Sequence, residues 1–198
     1  RNSGSGALEE DSAETATRAN SILSLSDTEL FYIGKDDLAQ LRQGHIESRK
    51  EFSWLSYEDI GRLRVSSAGA GGIREVGRLM LMDCSKDFMD KVLSTINDAK
   101  RGLQEPTVNI HIFSGLSGGT GSGCFLDVCY MVRNIIETQG INNCKLFGYF
   151  FLPDVNLSNV PMAQSRVREY IPKNGYAAMQ ELDYCMNIEK NGRRFEQV

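Results

Sequence analysis

The residues of this chain best suited to chemistry are the glycines and hydroxyls of SGLSGGTGSG, Ser114 to Gly123. Glycines stand at 115, 118, 119, 121 and 123, with Ser117, Thr120 and Ser122 among them. Without a Cβ, such a stretch can turn successive amide N–H groups into one concavity, which suits an anion. A helix starting at the same place adds the positive end of its dipole, and phosphate becomes the natural occupant. The hydroxyls supply further donors. A tight corner needs far fewer glycines, so the pattern points to phosphate binding, and a side chain at Gly121 is expected to block the approach. A shorter turn of the same kind, Gly69, Ala70, Gly71 and Gly72, lies upstream. Two familiar phosphate loops are excluded. Cys124 and Phe125 stand where a Walker A loop needs Lys and then Ser or Thr, and glycines at 119, 121 and 123 do not make GxGxxG.

Such a loop works only if regular elements hold it. VNIHIF, Val108 to Phe113, alternates and is β-branched, which predicts a strand running into the loop. Beyond it Phe125, Val128, Cys129, Val132, Ile135 and Ile136 recur at helical spacing. KLFGYFFLP, Lys145 to Pro153, is a near-continuous apolar run, expected as a parallel strand covered on both faces. Strand, glycine turn, helix and strand make a right-handed βαβ unit.

Upstream, Ile73, Val76, Leu79 and Met80 predict a helix after the first glycine turn. Ser85 is expected to cap a second helix with an apolar stripe of Phe88, Met89, Val92, Leu93, Ile96 and Ala99, ending at Lys100, Arg101 and Gly102 before Pro106. Thr28 to Gly34 reads as a short strand and Asp36 to His45 as a short helix. Near the end, Met179, Leu182, Met186 and Ile188 form a stripe suited to core packing. Residues 1–22, rich in Ser, Ala, Glu and Gly, read as a flexible tail or linker, which leaves 23–198 as one α/β domain.

Bulk properties agree with a globular protein. The chain has 198 residues, 41% of them hydrophobic and 24% charged, enough for one core. A formal charge of −4 argues against holding a nucleic-acid backbone. No apolar run approaches the roughly 20 residues that cross a bilayer, so no membrane span is expected. Five cysteines without CxxC spacing suit a reducing, cytoplasmic setting. His45, His111 and the scattered cysteines have no zinc-ligand spacing. Cys124 at a helix start, with His111 on the strand before it, has the outline of a cysteine-dependent acyl-transfer site, but no orienting partner is visible and this reading ranks last.

SGGTGSG, Ser117 to Gly123, resembles the GGGTG[ST]G signature of the tubulin and FtsZ superfamily, agreeing at six of seven positions with Ser117 in place of the first glycine. GAG at 69–71 resembles that family's earlier loop toward the terminal phosphate, and GAGGIREVGRLML, with Arg74 and Gly77-Arg78-Leu79, looks most like the large bacterial tubulin-like proteins. Leu152, Pro153 and Asp154 are similar to the end of the family's fifth strand and its sugar-side loop, and NGYAAMQELDYCMN, Asn174 to Asn187, to the next helix.

The resemblance implies a partial Rossmann-like, tubulin/FtsZ-type nucleotide-binding domain with a parallel sheet. It implies phosphate contacts from Gly69, Ala70, Gly71, Gly72, Ser117, Gly118, Gly119, Thr120, Gly121 and Ser122, and ribose-side contacts from Asp154 and Asn174. Glu169 is a further acidic possibility, better read as a solvated charge, and Arg166, Arg168 and Lys173 as a solvated basic cluster. The implied ligands are GTP or GDP with Mg2+. The implied partners are further copies of the protein in a polymer, with GTP hydrolysis completed between subunits. The family's catalytic acidic loop, central helix and guanine-reading asparagine are not recognisable, so no catalytic residue is assigned and the chain is expected to be an internal piece of a larger GTPase. The competing expectation is a tubulin-like scaffold or interaction module without turnover.

Overall fold

The computed structural model describes residues 29–33, 50–55, 70–104, 106–159 and 165–187. The alternating stretch before the glycine loop forms strand β1, Val108–Gly115, two residues longer than its β-branched part. It pairs in parallel with β2, Cys144–Phe151, in a register that runs from Val108 opposite Cys144 to Gly115 opposite Phe151. Parallel strands cannot be joined by a hairpin. Helix α3, Thr120–Thr138, makes the crossover.

Upstream of the ladder stand α1, Arg74–Asp83, and α2, Ser85–Lys100. After it come the short α4, Pro153–Asn159, and the long α5, Ser165–Met186. Helix α2 ends as the sequence suggests: Lys100 is its last residue, and Gly102 follows with φ +77°, a left-handed conformation that favours glycine.

The apolar side chains sort into three groups. Ile96 of α2, Ile135 of α3 and Ile141 meet Val108, Ile110 and Cys144 of the strands, so these two helices cover one face of the ladder. Leu116, Phe125 and Ala178 pack with Phe150 and Leu182 where α3 and α5 meet the strand ends. Val76, Leu79 and Met80 of α1 pack on Phe52 and Ala70. Helix α1 lies close against α3, because a Cβ on Gly77 would strike the Gly119 carbonyl and one on Gly123 would strike that of Arg74.

Several expectations are corrected. Strand β2 is not covered on both faces by the described residues. Side chains alternate across a strand, and those on the side away from α2 and α3, His111, Phe113, Phe147, Tyr149 and Phe151, are exposed, Phe113 to 63%. They stack on one another instead, Phe113 on Tyr149 at 4.6 Å and His111 on Phe147 at 5.0 Å between centroids. Ser85 does not cap α2. The chain turns from α1 into α2 without a loop, so Cys84 takes the cap position and Ser85 is already helical.

Ala99 is exposed, at the end of the α2 stripe where the helix runs past its partners. Residues 29–33 form no strand, although Phe31 packs edge-on against Phe88 at 5.8 Å. The buried stripe of α5 is Ile171, Gly175 and Ala178; of the expected stripe, Leu182 packs against it. Met179 and Met186 are exposed, because the helix turns its small residues toward α3 and α4. The readings on residues 1–22, 36–45 and Ile188 lie outside the described residues. None of the five cysteines is in a disulfide, and among the described residues no helix is long and apolar enough to cross a membrane.

Candidate anion-binding site

The glycine loop begins where the ladder ends. The Leu116 amide donates to the Phe151 carbonyl at 3.0 Å, extending the pairing by one residue. From Ser117 to Ser122 no amide N–H finds an acceptor among the described residues; the next, Gly123, donates to Gly119 at 3.0 Å and starts the α3 ladder. Gly119, the cap residue of α3, already has helical angles (φ −75°, ψ −50°), and no side chain caps the helix. Consecutive unpaired donors therefore sit at the positive end of a 19-residue helix. The Ser117 hydroxyl is buried, with the residue 1% exposed, and has no partner among the described residues. Such an orphan is uncommon in a folded chain and calls for a ligand or water.

The glycines of this loop serve different ends. A Cβ on Gly118 would meet nothing within 4 Å among the described residues, so this position faces the open side. One on Gly119 would lie 2.8 Å from the Ala70 Cβ and from the Ile73 amide nitrogen. One on Gly121 would lie 2.7 Å from the Gly115 carbonyl oxygen and 2.8 Å from the Ser114 hydroxyl. The expectation that a Gly121 side chain would project into the path of a phosphate is thus corrected: it would be driven into the end of β1.

Gly69 lies outside the described residues. Ala70 is buried against Gly119, and the turn after it is closed by the Ile73 amide donating to the Ala70 carbonyl at 2.9 Å. Gly71 and Gly72 take φ of +57° and +80° to make it. The two glycine turns are therefore in contact. Asn174 also reaches both: its side-chain nitrogen lies 2.8 Å from the Gly72 carbonyl oxygen and 3.0 Å from that of Ser117. Asp154 is exposed in the first turn of α4. Asn156, two residues on and unnoticed in the sequence, has its Oδ1 3.8 Å from where a Cβ on Gly115 would be.

Ser122 plays another part than expected. It is wholly buried, and its hydroxyl accepts from Arg74 Nε at 2.8 Å, so its oxygen serves the contact between α1 and α3. Arg74 also donates to the Ser122 carbonyl at 3.1 Å and grips Glu181 of α5 with both terminal nitrogens, Nη1 to Oε1 at 2.8 Å. One turn on, Arg78 forms a two-point pair with Asp127 at 2.8 and 3.1 Å and lies over the Trp54 ring. These residues line a cavity of about 290 Å³ beside the glycine loop. Glu181, Asp127 and Trp54 carried no signal in the sequence beyond the four-residue spacing of Arg74 and Arg78 on one helix face.

The other candidates fall into place. Glu169 pairs with Lys173 at 2.6 Å on the surface of α5, and that hydrogen bond holds the Lys173 ammonium above its ordinary pKa. Arg168 is not a solvated charge; it is partly buried and donates to the Leu157 carbonyl at 3.0 Å, tying α5 to α4. The Arg166 side chain lies outside the described residues. Cys124 is buried with its thiol donating to the Gly77 carbonyl at 3.0 Å, and burial, with Asp127 adding to it, pushes its pKa up to about 12. His111 is on the uncovered face of the ladder, its Nδ1 3.3 Å from the Tyr149 hydroxyl. The outline of a cysteine nucleophile with a histidine base is thereby corrected: desolvation outweighs the helix dipole at Cys124, and the two side chains lie on opposite sides of the strand. Among the described residues no cluster of three or more His, Cys, Asp or Glu could hold a metal ion.

The chain matches a protein family described as tubulin-like over residues 3–198. No curated protein and no solved structure matches it.

Proposed function

The chain belongs to the tubulin-like family, and from that premise we propose that its two touching glycine turns bind the phosphates of a guanine nucleotide. The observation that carries this reading is the run of amides from Ser117 to Ser122 at the start of α3, which have no acceptor among the described residues, with the buried Ser117 hydroxyl beside them. Phosphate oxygens would accept from these donors, and the helix dipole would add its field. The open side of the loop at Gly118 gives them room. Gly119 and Gly121 contribute by having no side chain, which lets the first turn and the end of β1 close on the loop. Ala70, Gly71 and Gly72 form the second wall.

Mg2+ suits such a site as an ion held mainly by phosphate oxygens and water, since a hard cation of this size keeps much of its hydration and needs few protein ligands. Guanine selectivity, self-association through the nucleotide-bearing face and turnover between subunits belong to the same reading, on the strength of the family. Asp127 and Glu181 are paired with arginines and are unsuited to activate water. Hydrolysis would then depend on residues from beyond this site, as expected where a neighbouring subunit completes catalysis.

The test is an equilibrium titration of labelled GTP and ATP, with Mg2+, against the full-length protein and its Gly118→Val variant. That substitution places a side chain on the open side of the loop without meeting a neighbour among the described residues. Saturable GTP-selective binding that the variant loses is the expected result. No binding by the folded wild type would mean that the fold is kept as a scaffold, and equal binding by the variant would remove the phosphate from this loop.

A further inference from the structure

We propose that Asn174 is the positioning residue of this site, holding the Ser117–Gly118 peptide with its N–H presented to the phosphate. The proposal rests on the nucleotide reading above and gives Asn174 a role other than the ribose contact that the resemblance implied. Its side-chain nitrogen contacts two carbonyl oxygens, Gly72 at 2.8 Å and Ser117 at 3.0 Å. A carbonyl can only accept, so the atom between them is the NH2 group, whose two hydrogens match the two acceptors. The acceptors lie 102 and 57 residues earlier in the chain, one in each glycine turn.

The consequence follows from peptide geometry. In a trans peptide the carbonyl and the following N–H point in opposite directions. Drawing the Ser117 carbonyl toward Asn174 therefore aims the Gly118 N–H away from it, toward the open side of the loop. The alternative orientation is within easy reach. Flipping this peptide would carry Gly118 to positive φ, which glycine accepts at little cost, and would put a carbonyl oxygen where the phosphate should be. Gly118 is not in the left-handed region here. Asn174 opposes the flip and at the same time fixes the distance between the turns.

Its own base is firm. On α5 it stands beside Gly175, which is pressed against Pro153, and one turn from the buried Ala178.

The experiment compares full-length wild type with Asn174→Asp, which keeps the size but loses both donors, and with Asn174→Gln, which keeps the donors on a longer arm. Two quantities are read. The first, without nucleotide, is the NMR signal of the Ser117 carbonyl carbon coupled to the Gly118 nitrogen, one of the five Ser-Gly pairs of this chain that selective labelling picks out, assigned by its loss in Ser117→Ala. The second is GTP affinity with Mg2+, with the thermal midpoint as a control for folding.

The expected result is a shifted Ser117–Gly118 signal in Asn174→Asp, a loss of affinity of roughly 10- to 100-fold, the scale of one hydrogen bond to a charged group, and substantial recovery in Asn174→Gln. A merely structural role would lower the thermal midpoint without moving this signal selectively. An unshifted signal in Asn174→Asp overturns the proposal, as does a shifted signal with wild-type affinity. Should the wild type not bind GTP while the signal still shifts, the nucleotide reading falls and the hold of Asn174 on the peptide stands.

Discussion

Two polar regions flank the start of α3, and they are built on opposite principles. In the cavity lined by α1, α3 and α5, the charges of Arg74 and Arg78 are matched by Glu181 and Asp127, and the buried Ser122 hydroxyl has its partner. In the glycine loop, amides from Ser117 to Ser122 and the buried Ser117 hydroxyl lack partners among the described residues. The first region is architecture: its polar groups satisfy one another, with Ser122 wholly buried and the ion pairs partly so. The second is left incomplete at a place where the helix dipole rewards an anion. The more heavily charged of the two regions is thus the less suited to a ligand, because its charges are spent on each other.

The substitution expected to damage both regions most is Gly121→Val. Forcing a branched side chain toward the Gly115 carbonyl should destabilise the fold by about 3 kcal/mol or more and abolish nucleotide binding with it; a variant with wild-type urea stability would show that the loop is looser than its contacts imply. Arg74→Ala separates the regions. It strands Glu181 and the Ser122 hydroxyl and should cost about 2 kcal/mol in urea unfolding, yet leave GTP affinity nearly unchanged. A large loss of affinity there would move the cavity into the binding site.

Ser117→Ala is the converse. It removes an unpartnered buried hydroxyl and should leave stability within about 1 kcal/mol of wild type, while lowering GTP affinity about tenfold if the hydroxyl donates to phosphate. Unchanged affinity would take the hydroxyl out of the site.

Cys124 should give the smallest effect of all. Burial raises its thiol pKa to about 12, so in the native protein it should resist alkylation near neutral pH. Its neutral form is favoured by folding, so its contribution to stability is full below the ordinary thiol pKa of 9.0 and is lost as the pH rises from there toward about 12. Rapid labelling of the folded protein would show that the α1–α3 contact opens.

The elements around the loop were legible because their signals are local. The alternation of Val108 to Phe113, the glycine cluster and the helical spacing of Phe125, Val132 and Ile135 each lie within a few residues, and β1, the turn and α3 appear where they indicate. Errors arose where burial depends on what lies opposite. Nothing in KLFGYFFLP distinguishes a strand covered twice from one whose Phe147, Tyr149 and Phe151 stand uncovered. In α5 the choice of face fell to Ala178 over Met179, since a small residue lets the helix approach Phe125 more closely. The same holds for Ser122, whose hydroxyl looks available to a ligand in the sequence but accepts from Arg74 in the fold.

By itself the sequence determined where the glycine loop lies, with a strand before it and a helix after it, because these are properties of neighbouring residues. Only the tertiary structure decided which hydroxyl stays free, which glycines line open space, and that Asn174 reaches both Gly72 and Ser117. Periodicity reports which residues share a face. The short range of hydrogen bonding and packing, acting between segments far apart in the chain, decides what that face meets.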